Sequence, residues 1–104
     1  MIGILKKIFS NKSVDYRELV NNGAVIVDVR TPGEYKSGHI NSSKNYPLDT
    51  IRAKVNELKK LNKPVITVCR SGARSGVAKG ILKSAGIEAY NGGPWNSLKN
   101  KVGK

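Results

Sequence analysis

The chain has 104 residues, of which 38% are hydrophobic and 25% are charged, and its formal net charge is +12. This length allows one domain with a core of its own, and the positive charge favours anionic partners, from small oxyanions to an acidic protein. The single cysteine excludes an intramolecular disulfide and a cysteine-rich zinc site, and a free thiol fits a reducing, cytoplasmic location.

The first twelve residues, MIGILKKIFSNK, contain an apolar run that Lys6 and Lys7 interrupt, with apolar side chains at Ile2, Ile4, Leu5, Ile8 and Phe9. The apolar run is too short for the core of a signal peptide or for a membrane span. We expect residues 1–12 to form an N-terminal arm that packs on the domain or frays, and the domain itself to cover residues 13–104. We also expect no membrane span.

From residue 13 onward, helical patterns alternate with short β-branched runs. Ser13 is placed to cap the first helix and Asp49 to cap a later one. The runs AVIVDV and VITV are nearly continuous, which is typical of buried strands in a parallel sheet. The predicted elements are a helix over 13–21, a strand over 24–29, a brief helix over 31–35 ended by Gly38, a short strand over 44–46, a helix over 51–58, a strand over 65–68, a helix over 77–85, a strand over 87–90, a turn over 91–94 and a terminal helix that begins over 95–98.

This alternation predicts an α/β fold with a mostly parallel sheet and helices on both of its faces. In open sheets of this kind, ligands bind beyond the carboxyl ends of the strands. Cys69 follows a central strand and precedes a helix. The lone cysteine is therefore expected at the edge of the sheet where a ligand binds.

The segment CRSGARSG, which begins at Cys69, carries the clearest chemical pattern in the chain. A passage from strand to loop to helix directs successive backbone N–H groups into a concavity, and the helix N-terminus adds partial positive charge. Gly72 lets the backbone turn tightly, and Arg70 and Arg74 add two permanent charges. Such a ring lowers the pKa of a thiol and holds an oxyanion against it. The alternative, an inert buried cysteine, fits this electropositive surrounding poorly.

The side chains of the loop differ in their expected roles. Arg74 closes the loop onto the helix and is the better candidate for two-point binding of an anion, whereas Arg70 guides the substrate from outside. Ser71 and Ser75 are expected to donate hydroxyl hydrogen bonds to the sulfur or the anion, and capping of the helix is an equally good reading for Ser75.

CRSGARS resembles the active-site loop of the rhodanese-like sulfurtransferases. Four other segments agree with that family in order and spacing, and the resemblance covers nearly the whole chain after residue 12. These segments are VIVDVRTPGEY, SGHINSSKNYPL, KPVITVC and AYNGGPW. The resemblance implies one rhodanese domain built on a central, mostly parallel sheet of five strands.

The resemblance also implies a two-step covalent mechanism, in which the loop cysteine takes the outer sulfur of thiosulfate or a similar donor. An acceptor such as cyanide, a thiol or a protein cysteine then removes it. Carried over, Cys69 is the nucleophile, and the persulfide is cradled by the loop residues Arg70, Ser71, Gly72, Ala73, Arg74 and Ser75. Because no second cysteine can resolve the persulfide, the acceptor must come from outside the chain.

Alternative functions remain open. Four residues separate Cys69 from Arg74, whereas the related phosphatases and arsenate reductases have five, which favours sulfur transfer over phosphoryl transfer. A persulfide carrier that delivers sulfur to an acidic partner protein, or a binding module, is the other candidate. The lysines are spread along the chain without a nucleic-acid motif, so we expect a solvated surface and no nucleic-acid partner. We expect a monomer that needs no metal or cofactor.

Several residues outside the loop are of types found in catalytic sites, but we expect them to have structural roles. Asp28 and Arg30 follow a buried strand and are expected to form a structural pair near the loop. Glu34 is expected to pair with Arg30 or to hold the active loop. His39, the only histidine, and Trp95 are expected to serve structure and packing.

Overall fold

The computed structural model describes residues 13–104, and the predicted arm over residues 1–12 lies outside these residues. The helices are α1 (Tyr16–Asn21), α2 (Pro32–Lys36), α3 (Ile51–Leu61), α4 (Ala73–Ser84) and α5 (Trp95–Val102). The strands are β1 (Val25–Asp28), β2 (Lys44–Asn45), β3 (Val65–Cys69) and β4 (Ala89–Pro94), and a 3₁₀ turn over Leu48–Thr50 precedes α3. Helices and strands alternate as the sequence predicts.

The four strands form one parallel sheet in the order β2-β1-β3-β4. The expected fifth strand is not found within residues 13–104, which corrects the predicted count. At the outer edge of β4, the hydroxyl of Tyr16 donates a hydrogen bond of 3.0 Å to the carbonyl of Asn91. A side chain of α1 thus satisfies a backbone acceptor that a neighbouring strand would otherwise use.

Helices cover both faces of the sheet, as predicted. On one face, Ile51 and Leu58 of α3 and Ala78 and Leu82 of α4 pack against the strands. On the other face, α1 and α5 cover the sheet, and Leu98 of α5 is fully buried there. Burial of the sheet on both faces explains why its inner strands are almost wholly apolar.

The structure corrects two predicted helix caps. Asp15, rather than Ser13, caps α1, because its side chain accepts the Glu18 N–H at 3.0 Å. Asp49 lies inside the 3₁₀ turn, and α3 begins after Thr50 without a side-chain cap. In both places the chain starts its helix later than the cap residue suggested.

The segment Asn91–Pro94 was expected to form a turn, and that prediction is wrong. It continues β4, and a register shift opposite Thr67 and Val68 lets the strand follow β3 as far as Cys69. Gly92 is required by close packing of the two strands, because a Cβ atom there would lie 2.8 Å from the Cγ2 atom of Ile66.

One helix is longer than predicted, since the helix expected over 77–85 begins at Ala73, directly after the loop. The terminal helix begins at Trp95, as predicted, and runs to Val102. In residues 13–104, no helix combines the length and the apolarity that a membrane crossing needs.

Candidate active site

The site lies where β3 ends at Cys69 and α4 begins at Ala73. Gly72 is the N-cap of α4 and has φ 101°, a left-handed conformation that L side chains rarely adopt. A Cβ atom there would also approach the Gly93 Cα atom to 3.4 Å. The loop therefore depends on glycine at this position to aim its N–H groups back at the cysteine.

The sulfur of Cys69 is fully buried and lies close to two backbone N–H donors and to the Ser75 hydroxyl. The Gly72 N–H lies 3.0 Å from Sγ, and both the N–H and the hydroxyl oxygen of Ser75 lie 3.4 Å from it. Burial alone raises the pKa of the Cys69 thiol, but hydrogen bonds from Ser75, Gly72 and Ser71 outweigh it and bring that pKa below its usual value. These hydrogen bonds thus favour the nucleophilic thiolate.

Arg74 forms a two-point ion pair with Glu34, with Nη1–Oε1 at 2.8 Å and Nη2–Oε2 at 3.1 Å. Glu34 also accepts the N–H of Thr31 in a capping box at the start of α2. The hydrogen bond from Arg74 is the main reason that the pKa of Glu34 falls to about 2, and the same bond raises the pKa of Arg74. Of the two predicted roles for Glu34, the structure shows contact with the active loop.

The other predicted loop residues face outward. Arg70, Ser71 and Ala73 are exposed, and Arg70 forms no ion pair within residues 13–104. Arg70 therefore presents an unneutralised charge beside the buried sulfur, whereas the charge of Arg74 is shared with Glu34. The predicted two-point binding of an anion by Arg74 would have to compete with its ion pair to Glu34.

Asp28 and Arg30 form a buried pair that supports the site from below. The carboxylate of Asp28 accepts from Nε and Nη2 of Arg30 at 2.8–3.1 Å, and both residues are at most 4% exposed. Arg30 also donates to the carbonyls of Glu34 and Gly38, and its guanidinium lies 4.7 Å from the ring centroid of Trp95. These contacts fix the segment that carries Glu34.

His39 lies in that same supporting segment. Its Nδ1 atom lies 2.7 Å from the Tyr35 carbonyl, and the two rings stack with centroids 3.7 Å apart. The histidine is engaged with its own segment of the chain, and its hydrogen bond and ring contact do not involve Cys69.

Asn91 is a site residue that sequence reasoning missed. Its Oδ1 atom accepts from the Ser75 hydroxyl at 2.7 Å and from the Gly93 N–H at 2.9 Å, and its Nδ2 group donates to the Gly72 carbonyl at 3.1 Å. Asn91 precedes two glycines, and this local pattern predicts a turn. No spacing signal in the sequence links it to the loop.

Comparison with protein-family models matches residues 13–96 to the rhodanese-like domain. Uncharacterized protein YqhL of Bacillus subtilis is 39% identical over 69 residues, which are 65% of this chain and 54% of that protein. The chain thus spans about half the length of that relative. Thiosulfate sulfurtransferase GlpE of Ectopseudomonas mendocina is 33% identical over 76 residues, which are 72% of this chain and 69% of that protein.

Among solved structures, reduced CoADR-RHD of Bacillus anthracis matches with a TM-score of 0.70 and 34% sequence identity. The match covers 86% of this chain and 16% of that chain. The fold, the loop after β3 and the relatives agree, and some of the relatives are named sulfurtransferases. The chain therefore belongs to the rhodanese-like domain family.

Proposed function

We propose that the protein is a sulfurtransferase that moves sulfane sulfur from thiosulfate or a similar anionic donor to a thiophilic acceptor through a Cys69 persulfide. The observation that carries this proposal is the Cys69 sulfur, which is buried against N–H donors with a pKa below its usual value. A thiol whose pKa is lowered forms the nucleophilic thiolate more readily than an ordinary cysteine does. The names of similar proteins support the same chemistry.

In the first step, the Cys69 thiolate attacks the outer sulfur of the donor. A new S–S bond forms, the S–S bond of thiosulfate breaks, and sulfite leaves with the electron pair. In the second step, cyanide, a thiolate or a protein cysteine attacks the outer sulfur of the persulfide, and the Cys69 thiolate leaves. Charge and atoms balance in each step, so no redox cofactor is required.

The loop has two tasks in this cycle. The backbone N–H groups of residues 70–75 stabilise the thiolate and then the outer sulfur of the persulfide. Arg70 attracts the donor's anionic group from the exposed side, and Arg74 contributes part of its charge while it remains paired with Glu34.

The net charge of +12 favours a variant of this function, in which the persulfide passes to an acidic protein acceptor. In that case the protein is a cytoplasmic, monomeric carrier with slow turnover on small acceptors. Faster turnover with an acidic thiol protein than with cyanide distinguishes the carrier. A phosphatase or arsenate reductase is disfavoured by the four-residue spacing between Cys69 and Arg74.

The test is the intact mass of the protein after incubation with thiosulfate and then with cyanide. We expect a gain of one sulfur atom that cyanide removes as thiocyanate, and no gain in Cys69→Ser, which retains the fold by circular dichroism. Folded, reduced wild-type protein that gains no sulfur from thiosulfate, or from a persulfide donor, contradicts the proposal.

A further inference from the structure

Three polar groups, one each from β3, α4 and β4, form a line that ends at the nucleophile. The Cys69 Sγ atom lies 3.4 Å from the Ser75 hydroxyl oxygen, and that oxygen lies 2.7 Å from Oδ1 of Asn91. Ser75 is fully buried, and Asn91 is partly buried. The hydroxyl therefore has these two neighbours as its hydrogen-bond partners inside the protein.

The orientation of the Asn91 amide is fixed by two backbone groups. Its Nδ2 group donates to the Gly72 carbonyl at 3.1 Å, and its Oδ1 atom accepts from the Gly93 N–H at 2.9 Å. If the amide were flipped, its NH₂ group would face the Gly93 N–H and its oxygen would face the Gly72 carbonyl, and neither contact would be a hydrogen bond. Oδ1 is therefore an acceptor only, and the Ser75 hydroxyl must donate to it for this contact to be a hydrogen bond.

The Ser75 hydroxyl has one proton and two possible acceptors. When Cys69 is a thiol, the S–H donates to Ser75 and the Ser75 O–H donates to Asn91, so both contacts are hydrogen bonds. When Cys69 loses its proton, the sulfur can no longer donate. The Ser75 hydroxyl then lies between two acceptors, the thiolate and Oδ1 of Asn91. The hydroxyl must then turn to the sulfur and give up Asn91, or keep Asn91 and face the thiolate with a lone pair.

We propose that Asn91 is a positioning residue that acts through Ser75 to favour the protonated thiol of Cys69, in opposition to the backbone N–H groups that favour the thiolate. Asn91 thereby sets how much of the Ser75 hydroxyl is available to the sulfur. The inference rests on the proposed role of Cys69 as nucleophile, but it concerns only the ionisation of the thiol.

Other groups near Cys69 do not obscure this effect. The charged side chains around the site include two ion pairs, Asp28 with Arg30 and Glu34 with Arg74, the exposed Arg70 and Asp49, and Lys79 and Lys83 of α4. The two lysines are present in every variant compared, so they do not affect the differences between variants. Carboxylates and guanidinium groups keep their charge over the range in which a thiol titrates. The hydrogen bond to Glu57 raises the pKa of Tyr46 to about 12, and burial, with a hydrogen bond to Glu88, raises the pKa of Tyr90 to about 12, so both lie above that range.

The test is the pH dependence of Cys69 alkylation by iodoacetamide in the wild type, Asn91→Ala, Ser75→Ala and the double variant. With Ser75 present, we expect Asn91→Ala to lower the pKa of the thiol by about half to one unit, because the hydroxyl is freed for the thiolate. When Ser75 is already replaced by alanine, we expect Asn91→Ala to cause no further lowering of the thiol pKa. If Asn91→Ala only loosened the loop, it would shift the thiol pKa equally with and without Ser75. The difference between the two shifts therefore measures the effect of the Ser75–Asn91 hydrogen bond.

Asn45→Ala is the matched control, because the Asn45 amide also hydrogen-bonds to backbone groups near the carboxyl ends of the strands, the carbonyls of Asp28 and Arg30, without contacting Ser75. We expect it to leave the thiol pKa unchanged. If Asn91→Ala does not fold, Asn91→Leu removes the acceptor at similar size. Equal shifts in the two backgrounds, or a rise of the pKa only when Ser75 is present, overturn the proposal. Alkylation requires no sulfur donor, so this result stands apart from the persulfide test.

Discussion

Arg74 and Glu34 lie 40 positions apart in the sequence, and their side chains meet in a two-point ion pair with N–O distances of 2.8 and 3.1 Å. The pair joins the first turn of α4, which carries the active loop, to the first turn of α2. It also competes with binding of an anion by Arg74, since both terminal nitrogens already have a carboxylate partner. Replacement of Arg74 tests the effect of the pair on donor binding, and replacement of Glu34 tests its effect on stability in acid.

Replacement of Arg74 by alanine should weaken use of an anionic sulfur donor. Loss of a charge-assisted contact close to the nucleophile should lower kcat/KM for thiosulfate by about one to two orders of magnitude. Lys79→Ala removes the same charge from α4, where Lys79 lines a cleft with Tyr16 and Tyr90, and it should have little effect. Equal losses in the two variants would show that the protein uses only its overall positive charge.

Glu34 should contribute to stability only above acidic pH. Its pKa is lowered from an ordinary value near 4.5 to about 2, so the stabilisation is present above pH 4.5 and is lost as the pH falls toward 2. Because the two side chains are 30–36% exposed, we expect Glu34→Gln to lower the free energy of unfolding by no more than about 1 kcal/mol near neutral pH.

Chemical denaturation across this pH range measures the effect of Glu34→Gln. The wild type and the variant should converge as the pH approaches 2. The control is Glu18→Gln on the exposed side of α1, which should run parallel to the wild type. A difference for Glu34→Gln that persists undiminished in acid would assign it to packing or helix capping.

Alkylation of Cys69 should begin at a lower pH in the folded protein than in the unfolded chain. Burial opposes ionisation, but the hydrogen bonds to the sulfur prevail and lower the pKa of the thiol, so the thiolate is populated earlier as the pH rises. The rate of reaction with iodoacetamide against pH, in buffer and in denaturant, measures both midpoints. A folded midpoint at or above the unfolded one would mean that burial dominates the site.

Gly92→Ala should destabilise the fold by about 1–3 kcal/mol, because its Cβ atom would lie 2.8 Å from Ile66 Cγ2 and 3.1 Å from the Thr67 carbonyl oxygen. Gly80→Ala is the matched control in the middle of α4. A Cβ atom at Gly80 meets no atom within 4 Å, so this change should stabilise the protein by about 0.5–1 kcal/mol. Thermal unfolding of both variants tests the contrast, and similar melting temperatures would refute the strand-packing role of Gly92.

The amino-acid sequence by itself was sufficient for the order of elements and for the nucleophile loop. The apolar runs before Asp28 and Cys69 specify buried strands, because only a sheet covered on both faces accommodates them. The loop is equally local, since Cys69, Gly72 and Ser75 lie within one short segment whose glycine directs the backbone. Contacts between residues this close in the sequence can be predicted from the local sequence.

Only the tertiary structure decided which distant residues form hydrogen bonds with the loop. Asn91 reaches Ser75 only because β4 runs beside β3 with a register shift, and Glu34 reaches Arg74 only because α2 packs next to the loop. These partners lie 16 and 40 positions away, and no periodicity in the sequence records such distances. The reason is physical: side-chain hydrogen bonds between distant segments depend on strand register and helix placement, which the whole core sets at once.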